Sequence, residues 1–169
     1  MTALALALLG LASALAVWSY IVYPAVIARI ASRRPSGESP PLVPQSVEVV
    51  VSAADEEDVI SARVRDLLAQ EWSGPYRVTV GCDGCRDRTA EAARSSGGDR
   101  VRVIEFPERR GKAAVINALV SGSAADVIVF TDANTRFDPG AVAALLAPFA
   151  DPRVGAVCGR LVLESSGGS

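Results

Sequence analysis

Hydrophobic and polar positions along this chain follow three regimes. From Met1 to Ala28 there is no charged residue, and the run from Ala3 through Tyr23 is apolar on every side of a helix. A stretch of that length reaches across a bilayer as one helix. From Pro35 to Pro44 (PSGESPPLVP) the order breaks into a linker composition. From about residue 46 onward, short β-branched runs alternate with segments of helical period.

The soluble regime predicts a regular series of elements. Val47 to Val51 reads as a first strand. Asp55 to Asp58 then suit the first turn of a helix, where acids complement the dipole and cap it. Val59, Ile60, Val64, Leu67 and Leu68 carry that helix through about Gln70. Tyr76 to Val80 is a second strand ending in Gly81-Cys82-Asp83-Gly84, and Asp87 to Arg94 a short helix. Val101 to Ile104 is a third strand, Gly111 to Val120 a helix, and Val127 to Phe130 a fourth strand. Pro139 to Phe149 predicts an Ala-rich helix, capped by Asp138 with Pro139 at its first position. Val154 to Leu163 predicts a fifth strand.

Alternating strands and helices imply an α/β fold, a Rossmann-like and mostly parallel sheet with flanking helices, preceded by one transmembrane helix. The expected division is residues 1–30 as anchor, 31–45 as a Pro/Ser-rich linker and 46–169 as the folded domain.

Trp18, Tyr20 and Tyr23 gather at the far end of the apolar segment, where amphipathic rings favour the interface. Arg29, Arg33 and Arg34 follow. The positive-inside bias then sets the N-terminus outside and the folded domain in the cytoplasm, on a single pass. A cleaved signal peptide is the competing reading, with Ala12, Ala14 and Ala16 imitating a cleavage site. It lacks a basic leader, and the apolar run is too long for it.

Composition narrows the chemistry. Seventeen basic and nineteen acidic residues leave a net charge of −2, which gives no basic field for nucleic acid. Histidine is absent, so imidazole acid–base chemistry and imidazole metal ligands are excluded. Lys112 is the only lysine. Three cysteines do not make a disulfide framework. Cys82 and Cys85 form a C-x-x-C, which can be a redox pair or half a zinc site. With no histidine and only Cys158 besides, small buried or loop thiols are the simpler reading.

Three predicted strands end in acids: Asp55 and Glu56 after the first, Asp83 on the second, Asp132 on the fourth. In a parallel sheet these ends share one edge. Any one of them could be a helix cap. Together they would repel unless a cation or hydrogen-bond donors sit among them. Asp132 and Asn134 offer oxygen ligands suited to hard divalent cations. Arg109-Arg110-Gly111-Lys112 places positive charge at a helix start, an arrangement that binds anions. It is no Walker loop, since Ala113 stands where Ser or Thr would reach magnesium, and no G-x-G-x-x-G follows the first strand. These parts together fit a nucleoside diphosphate.

In this order and spacing the segments resemble the N-terminal part of the inverting family 2 glycosyltransferases of GT-A fold, among them membrane-anchored polysaccharide-synthase-like members. Cys82 to Ala90 resembles the family's Ser-Asp-Gly-Ser-x-Asp-x-Thr segment. Arg109 to Asn117 resembles its Gly-Lys helix, and Phe130 to Thr135 its Asp-x-Asp metal element. Val47 to Glu57 is similar to its opening strand and Asn-Glu turn.

The resemblance implies transfer of a sugar, with inversion, from a nucleotide-sugar donor (a UDP-sugar) to a saccharide or lipid-linked acceptor at the membrane. It implies Mg²⁺ or Mn²⁺ held by Asp132 and Asn134. Nucleotide contacts would come from Ala53, Asp55, Glu56, Asp83, Gly111, Lys112 and Asp132, with Asp83 on the base and Lys112 near the diphosphate. Asp55 replaces the more usual Asn, and Asn134 replaces an Asp.

The family's catalytic base comes from a later acidic motif, expected beyond Ser169. The chain as given is therefore expected to be truncated before that base and inactive alone. A non-catalytic nucleotide-binding module, completed by a separate partner chain, is the alternative. A nucleotidylyltransferase is disfavoured, because Ala53-Ala54-Asp55-Glu56 stands where such folds carry a Gly-rich loop.

Overall fold

A computed structural model describes residues 2–32 and 44–162. The predicted linker lies largely outside the described residues, as does the end of the chain from residue 163. Two compact units divide near residue 38.

The N-terminal unit is one continuous helical rod: α1 (Thr2–Val17), a π-helical stretch (Trp18–Val22) and α2 (Tyr23–Ser32). The wide stretch lies just ahead of Pro24. Proline has no amide hydrogen and its ring crowds the carbonyl four residues back, so the ladder there must change. The Tyr23 amide accordingly donates to the Trp18 carbonyl, five residues back. Ala3–Ile30 is 28 residues long and none of its hydrophobic stretch is buried. At about 1.5 Å per residue it exceeds the roughly 30 Å of a hydrocarbon core.

The second unit is built on a four-stranded, wholly parallel sheet. Its strands are β1 (Val47–Ala53), β2 (Tyr76–Asp83), β3 (Val101–Phe106) and β4 (Val127–Asp132), in the order β3-β2-β1-β4. The connecting helices are α3 (Glu57–Leu68), α4 (Thr89–Gly97) and α5 (Lys112–Ser121), and α6 (Ala141–Leu146) follows β4. The chain winds outward from β1 to β3, then returns to place β4 on the other side of β1. That reversal makes the crevice between β1 and β4 the topological switch point, where open α/β sheets take their ligands.

Strand parity sorts the side chains onto two faces. Val47, Val49, Val51 and Ala53 of β1, with Val78, Val80 and Cys82 of β2, join Ile60, Val64 and Leu67 of α3 and Ala90 and Ala93 of α4 in the main core. The opposite face carries a thinner cluster of Val50, Val115 and Leu119. There α5 lies close because Gly81 lets it. A Cβ on Gly81 would come within 2.5 Å of Val115 Cγ1. Glu48, buried on this second face, accepts hydrogen bonds from Thr79 and Ser123 hydroxyls.

Two predicted elements differ. Val154 to Leu163 forms no strand among its described residues, and Leu161 and Val162 are 74% and 59% exposed. β-Branched composition makes a strand only where a partner and a surface receive it, and Gly155 and Gly159 interrupt this run. The last helix begins at Ala141 rather than Pro139. Gly140, with φ of 78°, occupies its N-cap, and Asp138 contributes its backbone carbonyl to the Ala141 amide (3.0 Å) rather than a side-chain cap. Pro148 removes a donor, and the helix tightens into a 3₁₀ turn over Ala147–Ala150.

Candidate active site

Because β1, β2 and β4 are parallel, their C-terminal acids do emerge at one edge. In register Ser52 pairs with Asp132 and Ala53 with Cys82. Asp83, Ser52 and Asp132 all lie on the α5 face. With strands spaced about 4.8 Å, the ends of β2 and β4 stand roughly 10 Å apart across β1. Lys112, at the first position of α5, bridges this gap and its ammonium pairs with Asp132. The result is a cleft of about 240 Å³ lined by Ser52, Ala54, Glu56, Asp83, Lys112, Asp132, Ala133 and Asn134.

Five of the residues singled out from sequence, Glu56, Asp83, Lys112, Asp132 and Asn134, thus meet in one place. The other three do not line it. Ala53 is 1% exposed and turns into the main core. Gly111 is the N-cap of α5, with φ of 86°. Asp55 lines a neighbouring cleft of about 400 Å³ with Gly84, Cys85, Arg86, Pro107, Glu108 and Arg109. Its φ of 59° is a left-handed conformation that Asn and Asp tolerate better than other side chains. Its carboxylate accepts the Arg86 amide (2.8 Å) and pairs with Arg109 (3.2 Å).

The two strand-end acids differ in their commitments. Asp83 is 3% exposed, and its two oxygens accept the Arg110 and Gly111 amides at 2.6 and 2.8 Å. Two of the amides ahead of α5 that the sequence offered to an anion are therefore already taken. Asp132 is half exposed and its carboxylate meets only the Lys112 ammonium among the described contacts. That carboxylate is bound to no backbone amide among the described contacts and carries a cationic partner. With the Asn134 amide on the same exposed turn, the donor set is all oxygen, which fits Mg²⁺ or Mn²⁺.

Asp87 and Thr89 were not among the residues read as functional, yet they hold the edge together. Asp87 accepts the Thr89 amide and hydroxyl and the Glu57 amide (3.1 Å), and Thr89 Oγ1 accepts the Glu56 amide (2.8 Å). The starts of α3 and α4 are thus capped by one shared pair. The Thr89 hydroxyl, first among these contacts, holds the Asp87 carboxyl below its usual range. Asp55, Cys85 and Asp87 bring ligand atoms within 4.8 Å of one another. Both acids there are bound to backbone amides, which makes the cluster part of the scaffold.

Cys82, Cys85 and Cys158 are all free thiols, Cys82 buried and Cys158 exposed. Burial, with Cys85 alongside, pushes the Cys82 thiol up to about 12.

Residues 48–169 match the model of glycosyl transferase family 2. The chain belongs to glycosyl transferase family 2. It is 32% identical over 126 residues to an N-acetylglucosaminyltransferase of Rhizobium meliloti (strain 1021), a match covering 72% of this chain and 30% of that protein. A second N-acetylglucosaminyltransferase, from Rhizobium leguminosarum bv. trifolii, is 32% identical over 129 residues, with 73% of this chain and 71% of that one covered. The fold is that of the mannosyltransferase PcManGT from Pyrobaculum calidifontis, solved with GDP-Man and Mn²⁺. The TM-score is 0.57 at 23% identity, over 79% of this chain and 41% of that one. As a family 2 member this chain spans less than a third of the Rhizobium meliloti relative's length.

Proposed function

We propose that this chain carries the nucleotide-sugar donor site of a metal-assisted, inverting glycosyltransferase, with a UDP-sugar as donor. The observation that carries the reading is the Asp132–Asn134 turn facing Lys112 across the β1/β4 switch point. In this reading Asp132 and Asn134 would hold Mg²⁺ or Mn²⁺, which would supply Lewis-acid stabilisation of a departing nucleoside diphosphate. Lys112 then exchanges its carboxylate partner for a phosphate oxygen, a hydrogen bond of similar charge-assisted kind. Ser52, Ala54 and Glu56 form the wall against which the nucleoside lies, and Asp83 fixes the α5 start through its amides. Names of the two Rhizobium relatives make an N-acetylhexosamine the first sugar to test, and the GDP-Man and Mn²⁺ of the mannosyltransferase make GDP the comparison nucleotide. The acceptor is a saccharide or lipid-linked saccharide.

Inversion requires a base on the acceptor hydroxyl, and we assign it to no residue of this chain. Ala3–Ile30 is proposed as a single-pass membrane anchor, with the Arg29 side and the folded unit in the cytoplasm. Labelling of a cysteine placed before Leu4 from the outside of intact cells tests that orientation.

The site reading is tested by titrating UDP and GDP into the chain with and without Mn²⁺, then repeating with Asp132→Ala. UDP binding strengthened by Mn²⁺, and loss of that strengthening in the variant, is the expected result. Metal-dependent binding that survives the substitution overturns the assignment.

A further inference from the structure

The buried stripe of α3 consists of Ile60, Arg63, Val64 and Leu67. A charged residue in that stripe needs a reason, since an unpaired buried guanidinium is costly. The Arg63 side chain is 1% exposed and all three of its nitrogens are used. Nε donates to the backbone carbonyl of Asp132 (3.1 Å), one terminal nitrogen to Thr131 Oγ1, and the other to the Asp66 carboxylate. The face of the guanidinium lies 4.5 Å from the Phe137 ring centroid.

These partners belong to one stretch of chain, the end of β4 and the turn after it. Asp66 also accepts the Phe137 amide (3.1 Å). The Thr131 hydroxyl donates to Thr135 Oγ1 (2.9 Å), whose own hydrogen goes to the same Asp132 carbonyl (3.1 Å). Just past the end of α3, the Gln70 side chain donates to the Asp138 carbonyl and accepts the Val142 amide. Arg63 and Asp66 of α3, with Gln70 just beyond its end, therefore grip the turn from the core side. The Asp132 carboxylate is left for the cleft, where Lys112 finds it. Asp66 balances the Arg63 charge, so the grip places no uncompensated positive charge behind a cation site.

We propose that Arg63 is a positioning residue for the metal-holding turn, acting through the Asp132 carbonyl, Thr131 and Phe137 to set the direction of the Asp132 and Asn134 oxygens. The proposal rests on the donor-site reading above. Lysine cannot replace it, because a single ammonium cannot serve a carbonyl, a hydroxyl and a carboxylate in one plane while stacking on a ring.

The test uses the 169-residue chain in detergent micelles. Mn²⁺ affinity in the presence of UDP, UDP affinity without metal, and thermal unfolding are measured for the unsubstituted chain, Asp132→Ala, Arg63→Lys and Thr131→Val. Outer partners of metal ligands cost about tenfold or more in metal affinity when removed, and Arg63→Lys is expected to show a loss of that size. Thr131→Val, which deletes the Thr131 hydroxyl's bonds to Arg63 and Thr135 and leaves the guanidinium paired with Asp66, shows a smaller loss in the same direction. UDP affinity without metal stays unchanged in both. Folded Arg63→Lys and Thr131→Val proteins with unaltered Mn²⁺ affinity, beside an Asp132→Ala protein that has lost it, overturn this proposal and leave the donor site standing. An unfolded Arg63→Lys together with an unaltered Thr131→Val makes Arg63 a stability residue and equally overturns it. Absence of any Mn²⁺ dependence in the unsubstituted chain sinks the donor site itself, and the positioning role with it.

Discussion

The ends of β2 and β4 carry the same signal, an aspartate closing an apolar strand on the same face of the sheet, and they use it differently. Asp83 is covered, and both of its oxygens are bound to the backbone ahead of α5. Asp132 is half exposed and meets a flexible ammonium. Gly81 lies behind this difference. It sits on the same face of β2 as Asp83 and lets α5 settle onto the strand, which brings the Arg110 and Gly111 amides within reach of Asp83. β4 has no such close helix. Phe130, two residues before Asp132 on the same face, is 56% exposed. What orders the end of β4 comes instead from the other face, through Arg63. An acid at a strand end is taken up by backbone amides where a helix start lies against it, and keeps an exposed carboxylate where the neighbouring helix stands off.

The largest effect that separates the two ends is expected from Asp83→Ala. It strands two amides that now donate to a buried carboxylate. Hydrogen bonds of that kind are worth roughly 1.5–3 kcal/mol each. A loss of about 3 kcal/mol, or roughly 10 °C in Tm for a domain of this size, is expected by circular dichroism. An unaltered melting temperature would place Asp83 with Asp132, as an acid kept for a ligand.

Lys112→Met comes next and acts on binding, not on folding. Its pair with Asp132 is exposed on both sides, and such pairs contribute only about 0–1 kcal/mol. Stability should hardly move. UDP affinity in the presence of Mn²⁺ should fall about tenfold, the equivalent of one charge-assisted contact of about 1.4 kcal/mol. Mn²⁺ affinity without nucleotide should rise, because the internal cation no longer competes for Asp132. Opposite shifts in the two titrations identify Lys112 as a partner exchanged between carboxylate and phosphate. Parallel shifts would make it a fixed part of the metal site.

The smallest effect concerns acid stability. Asp87 has its folded-state pKa lowered, first by the Thr89 hydroxyl. A carboxyl depressed on folding contributes stability that is complete above its unfolded pKa, near 3.9, and is lost as pH falls through the folded value. Asp87→Asn should therefore lower Tm at neutral pH and flatten the fall of Tm below about pH 4. A pH profile parallel to that of the unsubstituted chain would remove Asp87 from the acid-sensitive set.

Much of this was legible in the residues. β-Branched runs and helical spacing located the four strands and three crossing helices, because each element's period matches the face it buries. The edge shared by Glu56, Asp83, Lys112, Asp132 and Asn134 followed from parallel strands alone. Three things were not legible. The Val154 to Leu163 run has strand composition, but pairing depends on a neighbour and not on composition. Asp138-Pro139 reads as a cap, but Gly140 takes the left-handed position and starts the helix two residues later. The separation of Asp55 from the cleft depends on its left-handed backbone and on Arg109, a contact between residues 54 positions apart. Arg63 did leave a trace, since it falls at the buried spacing of Ile60, Val64 and Leu67. An arginine in such a stripe marks a long-range partner even before the partner is known.

The split between the two strand ends is tested most directly by Asp132→Asn, melted with and without UDP and Mn²⁺. The exposed carboxylate takes no part in holding the fold, and Arg63 grips only the backbone carbonyl, which the substitution keeps. The unliganded variant should therefore melt with the unsubstituted chain, within about 0.5 kcal/mol. The extra rise in Tm that Mn²⁺ adds to that of UDP in the unsubstituted chain should be gone. A metal-dependent rise that persists, or an unliganded protein that melts well below the parent, would contradict the account.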